Sequence, residues 1–271
     1  MSKHILIILA SLLVIAACSR EPQYDVYLFI GQSNMAGRGD MLPEDTTVIP
    51  HAFILDDNDQ IVPAKAPLNL YSTIRKRVGM QKINPAYNFA KTIAGNSGKD
   101  MLMVVNARGG SALNEWLKGA PTGTFSIRGT DDPELDGKPM PSFYDEAVRR
   151  AKIAMEHGQL KAILWHQGCS DSNPVLVNSY MDRLEQFVAD LRADLGVGED
   201  VPFIAGEVGY FFSGSRLFNP MIRTIEEHIP NSAWVSAEGC AGNADSLHFS
   251  RDGQMLLGSR YAEKYLSLFN D

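Results

Sequence analysis

Five short apolar runs recur along the chain, each followed by a longer amphipathic or polar stretch. The runs Val26–Ile30, Met101–Asn106, Ala162–His166, Phe203–Glu207 and Ala233–Ala237 are rich in branched and aromatic residues and predict buried strands. The stretches Pro85–Gly95, Phe143–His157, Leu176–Leu195, Pro220–His228 and Arg251–Leu268 carry apolar residues at helical spacing and predict helices. Asn84-Pro85 and Ser142 are natural helix starts. Strand and helix alternate, which is the signature of parallel βα units and predicts an α/β fold around a five-stranded parallel sheet. Phe53 to Val62 reads as a small hairpin around the Asp/Asn-rich turn at 56–59, decorating the surface. Pro121 to Pro141 is rich in Gly, Pro and Asp and predicts a long loop at the catalytic edge of the sheet, after the second strand.

The first residues form a different pattern. Met1 to His4 is a short positive start, Ile5 to Ala17 is apolar, and Ile15-Ala16-Ala17-Cys18 resembles a bacterial lipobox. The run is short for a transmembrane helix and fits a secretory signal. Residues 1–18 are therefore expected to be a lipoprotein signal with Cys18 lipidated, 19–24 a tether, and 25–271 a single domain outside the cytoplasm, on a membrane surface.

Composition narrows the partners. With 45% hydrophobic residues among 271, the chain can bury a full core. A net charge of -7 without a basic tract argues against nucleic acid. No Cys-x-x-Cys or His cluster suggests a metal, and no cofactor is implied. Beyond Cys18 only Cys169 and Cys240 remain. Both follow strands at the catalytic edge, and an oxidising compartment predicts that they pair as a disulfide.

The candidate chemistry lies at two distant places. The first strand ends in Gly31-Gln32-Ser33-Asn34, which would stand a serine at the carboxyl end of a core strand, where open α/β sheets hold ligands. Asn34 and Arg38 follow as possible substrate donors. Near the other end stands Asp245-Ser246-Leu247-His248, whose spacing can present an acid and an imidazole to one point. A serine needs a base, and the base needs an orienting acid; the order along the chain is immaterial. His166, at the end of the third strand, is the rival base, and Asp171 the rival acid.

Four ordered blocks give these residues a context. Gly31 to Arg38, Asn106 to Trp116, Trp165 to Asp171, and Asp245 to Ser250 resemble the conserved blocks of the SGNH (GDSL-like) hydrolases, in the branch of carbohydrate acetylesterases that holds acetylxylan and sialate O-acetylesterases. The resemblance implies a three-layer flavodoxin-like domain. It implies Ser33 as nucleophile, His248 as base and Asp245 as acid. The implied oxyanion hole comprises the Ser33 amide, an amide of Gly109-Gly110 and the Gln167 side chain. Trp116 is a candidate for stacking on a sugar ring. One position departs from the pattern: the usual Glu after Trp-x-Gln-Gly is Cys169, so a triad acid there is excluded. The expected activity is removal of O-acetyl groups from a carbohydrate, with acetylated xylan oligosaccharides as first substrate and acetylated sialic acid as the neighbour. A lipase or thioesterase of the wider group, and a glycan-binding lipoprotein without turnover, are the alternatives.

Overall fold

The computed structural model describes residues 23–71, 81–126 and 132–268. Cys18 and the proposed signal lie outside the described residues, as does part of the 121–141 loop. Within them, seven strands form one sheet: β1 (Tyr24–Gly31), β2 (Ala52–Leu55), β3 (Ile61–Pro63), β4 (Asp100–Ala107), β5 (Gly158–His166), β6 (Phe203–Gly206) and β7 (Ser232–Val235). Their order is β3-β2-β4-β1-β5-β6-β7. The five expected strands are β1, β4, β5, β6 and β7, all parallel, in the flavodoxin-like order 2-1-3-4-5. Tyr24, assigned by sequence to the tether, already belongs to β1 and is buried.

The sheet has seven strands rather than five because the hairpin is not surface decoration. Its strand β2 pairs parallel to β4, Phe53 opposite Leu102, while β3 returns antiparallel. Ala52, Ile54 and Leu55 are buried. Beneath them lies a fully buried Arg150. It donates to the carbonyls of Leu55 (2.7 Å) and Asp56 (2.8 Å) and to the Asp59 carboxylate (3.3 Å). The turn itself is held by Asp56 Oδ1, which accepts from the Asn58 and Gln60 amides at 2.8 Å each.

Helices cover both faces. Against one pack α3 (Phe143–Met155), α5 (Tyr180–Leu195) and α6 (Ser215–Ile222); against the other pack α2 (Pro85–Ile93) and α8 (Arg251–Ser267). Alternation in β1 divides the core: Val26, Leu28 and Ile30 face the first layer, Tyr27 and Phe29 the second. The side chain of Ser142 caps α3 and that of Ser250 caps α8. The expected helix from Leu176 begins earlier and breaks at Ser179, giving α4 (Pro174–Asn178), capped by Asn173, and then α5. Gly196, at φ +67°, ends α5.

The position of the site follows from register. Gly31 lies opposite Ala107 on one side and His166 on the other. The loops after β1, β4 and β5 therefore leave the sheet at one level. The crossovers after β1 and β4 run in opposite directions along the sheet, so a crevice opens beside the end of β1.

Replacing Arg150 by Met keeps the aliphatic stem but removes the donors to the Leu55 and Asp56 carbonyls, while Asp59 keeps Arg149. We expect a loss of about 3 kcal/mol, from two carbonyls left without their donor. Urea denaturation of the variant and its parent measures it.

Candidate active site

At Gly31 the strand becomes a turn that only glycine accommodates. Its φ is +135°, and a Cβ would lie 2.3 Å from the His166 carbonyl oxygen. The Gln32 amide donates to that same oxygen at 2.9 Å, and Ser33 opens a single helical turn, α1 (Ser33–Ala36). The Gln32 side chain reaches across the rim and accepts from the Gly168 amide at 2.9 Å.

Ser33 meets a loop from the far end of the chain. Its Oγ lies 2.9 Å from His248 Nε2, and His248 Nδ1 lies 2.6 Å from Asp245 Oδ2. The other Asp245 oxygen accepts from the backbone amides of Leu247 and His248, at 2.9 Å each. Burial raises the Asp245 pKa, but the imidazole and the two amides outweigh it and hold the carboxyl at about 2. An ionised carboxylate accepts only, so the imidazole proton sits on Nδ1 and leaves Nε2 to accept from the Ser33 hydroxyl. This arrangement can take a proton from a serine and return it.

The rival groups are engaged elsewhere. His166 is fully buried, with Nδ1 3.2 Å from the Tyr261 hydroxyl. Burial pushes its pKa down to about 3 and keeps it neutral. Asp171 is fully buried too, accepting from the Leu113 amide (3.0 Å), Gln167 Nε2 (2.6 Å) and Arg183 (3.2 Å).

The glycine pair lies beside the serine. A Cβ on Gly109 would come 3.7 Å from that of Ser33 and 2.7 Å from Arg38 Nη2, so its backbone is pressed against both. Gly110 is exposed with φ +80°. Among the described residues, no acceptor takes the amides of Ser33, Gly109 or Gly110. The strand end beneath them is fixed by Asn69. This buried side chain pairs with both backbone groups of Ala107, at 2.9 and 3.1 Å, like a further strand. No motif or periodicity in the sequence marks Asn69.

Three side chains expected to face substrate are engaged with protein groups instead. Gln167 is not poised as an oxyanion donor: its amide nitrogen gives both hydrogens away, to Ser111 O (3.2 Å) and Asp171, and its oxygen accepts from Tyr180 at 2.7 Å. Trp116 offers no stacking face. It is fully buried against Trp165 and Phe143, with ring centroids 5.5 and 5.4 Å away, and its Nε1 donates to Ser111 Oγ. Asn34 is also fully buried, bonded to the backbone on either side of His248.

Arg38 stays at the site. Its Nη1 donates to Gly37 O at 2.6 Å. Burial and the neighbouring Arg108 charge lower its pKa, while Asp245 raises it. Asp40, two residues on, is bonded by Lys82.

The expected disulfide is absent. Cys169 and Cys240 are both free. Cys169 packs on the α3/α5 side of the sheet and Cys240 in the α2/α8 core, so the sheet separates them. Ending on the same edge placed them on a common rim in the sequence reading, but not on a common face.

The matched family is decided along almost the whole chain. The family model for "carbohydrate esterase, sialic acid-specific acetylesterase" matches residues 23–267. The chain belongs to this family of carbohydrate esterases. It is therefore an esterase of acetylated carbohydrate. A probable carbohydrate esterase of Arabidopsis thaliana is 25% identical over 267 residues, covering 92% of both chains. A crystal structure of an Arabidopsis thaliana protein superposes with a TM-score of 0.76 at 23% identity, covering 92% of this chain and all of that one. NanS superposes at 0.66 and 19% identity, covering 92% and 99%. At these identities the solved structures attest the shared fold.

Burial pushes the Cys169 thiol up to about 12 and Cys240 to about 11. In a chain lacking residues 1–18, we expect neither thiol to react with a colorimetric disulfide reagent at pH 8 in the native state. Both should titrate on unfolding without reductant; a count of zero would restore the disulfide.

Proposed function

We propose that the protein removes O-acetyl groups from a carbohydrate by an acyl-enzyme route through Ser33, His248 and Asp245. The observation that carries this reading is the continuous hydrogen-bonded path from Ser33 Oγ through the imidazole to a carboxylate held ionised. Ser33 Oγ attacks the acetyl carbonyl as its proton passes to His248 Nε2. The charge that develops on the carbonyl oxygen is met by the amides of Ser33 and of Gly109-Gly110, each such donor supplying about 3 kcal/mol to the transition state. Collapse expels the sugar oxygen, which takes the proton back from His248. Water then enters, gives a proton to the same imidazole and attacks the acetyl carbonyl; collapse breaks the bond to Ser33 Oγ, which takes that proton back, and releases acetate. Asp245 holds the Nδ1 proton in place throughout and stabilises the imidazolium.

The choice of sugar rests on Arg38 and Arg108. Their charges sense one another at the site, and Arg38 lies against Gly109 beside Ser33. A guanidinium against the glycine beside the nucleophile, with the Arg108 charge near it, favours an acetylated sugar bearing a carboxylate, as sialic acid does, over neutral xylan oligosaccharides. The family description supports the same order.

We also propose that Cys18 is lipidated and holds the domain at a bacterial membrane, outside the cytoplasm. β1 begins at Tyr24 and ends at Gly31, a run of about 23 Å at strand rise. The chain therefore enters the sheet at the opposite end of β1 from Ser33, which suits an anchored domain whose glycan substrate approaches from solvent.

Acetate release across acetylated sialic acids, acetylated xylan oligosaccharides and long-chain esters tests the activity. Ser33→Ala should abolish release, and Asp245→Asn should lower kcat on the order of 10³–10⁴-fold. If the parent releases no acetate that Ser33→Ala removes, the enzyme mechanism fails and glycan binding becomes the reading. Preference for the neutral oligosaccharide would remove the assigned role of the arginines. For the anchor, Cys18→Ala should move the protein from the membrane fraction to the soluble extracytoplasmic fraction.

A further inference from the structure

His248 and Asp245 form a self-contained unit. Their carboxylate–imidazole bond, the two amides that Asp245 accepts, and the Asn243 amide donating to His248 O at 2.7 Å all lie within residues 243–248. These contacts orient the ring relative to its acid. They do nothing to set its distance from Ser33, which stands 215 positions earlier.

Asn34 spans that gap. It directly follows Ser33, is fully buried, and bonds both peptide groups that flank His248. Its Oδ1 accepts from the Phe249 amide at 3.1 Å and from Gln254 Nε2 at 3.4 Å, and its Nδ2 donates to Leu247 O at 3.4 Å. With no solvent-facing surface it has no face to give a substrate. A second tie, Asn243 Nδ2 to Arg38 O at 3.3 Å, joins the same two segments further out.

We infer that Asn34 is a positioning residue: it clamps the loop carrying the base to the turn carrying the nucleophile and thereby fixes the separation of Ser33 Oγ and His248 Nε2. This rests on the assignment of those two groups as nucleophile and base. Without the clamp the loop keeps its internal bonds and shifts as a unit. Proton transfer falls, while substrate binding and the carboxylate–imidazole bond remain.

The test uses Asn34→Ala in the full chain, with kcat and KM for p-nitrophenyl acetate, the rate of Ser33 labelling by a small fluorophosphonate, and the low-field NMR signal of the His248 Nδ1 proton. We expect kcat and the labelling rate to fall roughly 10–100-fold, as a displacement near 1 Å does, with KM within about twofold and the proton signal retained. A kcat within about threefold of the parent overturns the inference. So does a raised KM at unchanged kcat, which would make Asn34 a substrate contact, and so does loss of the proton signal, which would make its role general to the fold. If Asn34→Ala fails to fold, Asn34→Asp carries the same test. It keeps the shape and the acceptor for Phe249 and, once ionised, cannot donate to Leu247 O, so parent-like kcat in it at alkaline pH likewise overturns the clamp. A parent inactive on the acetate ester would instead bring down the assignment of Ser33 and His248 itself.

Discussion

The site depends on one register. Gly31, Ala107 and His166 lie level at the ends of three adjacent parallel strands, and two backbone bonds, Arg108 N to Gly31 O and Gln32 N to His166 O, at 2.9 Å each, carry that alignment one residue beyond the sheet. A slip of one position between β1 and β4 would move Gly109 away from Ser33. It would also turn alternate side chains to the wrong core, so the apolar layers on both faces resist it. The hydrophobic alternation that builds the sheet thus also aligns the chemistry, which is why a functional site recurs at this edge of open α/β sheets.

Directly beneath the rim lies a second, polar layer. Asp171 collects donors from the Leu113 amide, Gln167 and Arg183, and Gln167 passes on through Tyr180 to Trp165 Nε1. A buried carboxylate is tolerated only when its lone pairs are filled, and here three separate segments fill them. The result fastens the loop after β4 to the loop after β5. Residues that read as substrate contacts from their motif are used instead to hold the walls of the site. Cys169 fits this layer: burial keeps its thiol neutral, so it adds no charge beside Asn34.

Much of this was legible in the sequence, and the line between what was and was not is physical. The five core strands stood out because each is an apolar run bounded by turn residues, and Ser33, Asp245 and His248 stood out because each sits in a spaced motif just past an element. Motifs give the loop, not the direction in which a side chain points. Asn34, Gln167 and Trp116 all turn inward: Asn34 and Gln167 meet backbone groups distant in sequence, and Trp116 packs in the core with its Nε1 on Ser111 Oγ. Cys169 and Cys240 share a sheet edge, but which face each occupies depends on how its loop leaves the strand. The hairpin read as decoration because its strands are short, and the buried cation that fastens it, Arg150, lies on a helix about ninety residues later. Asn69 and Asn243 carried no signal because a single amide bonding distant backbone groups has no period.

The two carboxylates near the site show how role follows from environment. Asp171 is sealed and bonded at both oxygens, and its donors leave no oxygen for an imidazole. Asp245 is half-exposed, yet two amides of its own loop and the imidazole hold it ionised despite the cost of partial burial. Because acid and base are three residues apart on one turn, their mutual orientation is local and needs nothing from the rest of the fold. Only one long-range distance then remains to be supplied, from that turn to the serine. It is the part of the geometry most exposed to the chain entropy of two loops, and it is where the structure places a fully buried amide between them.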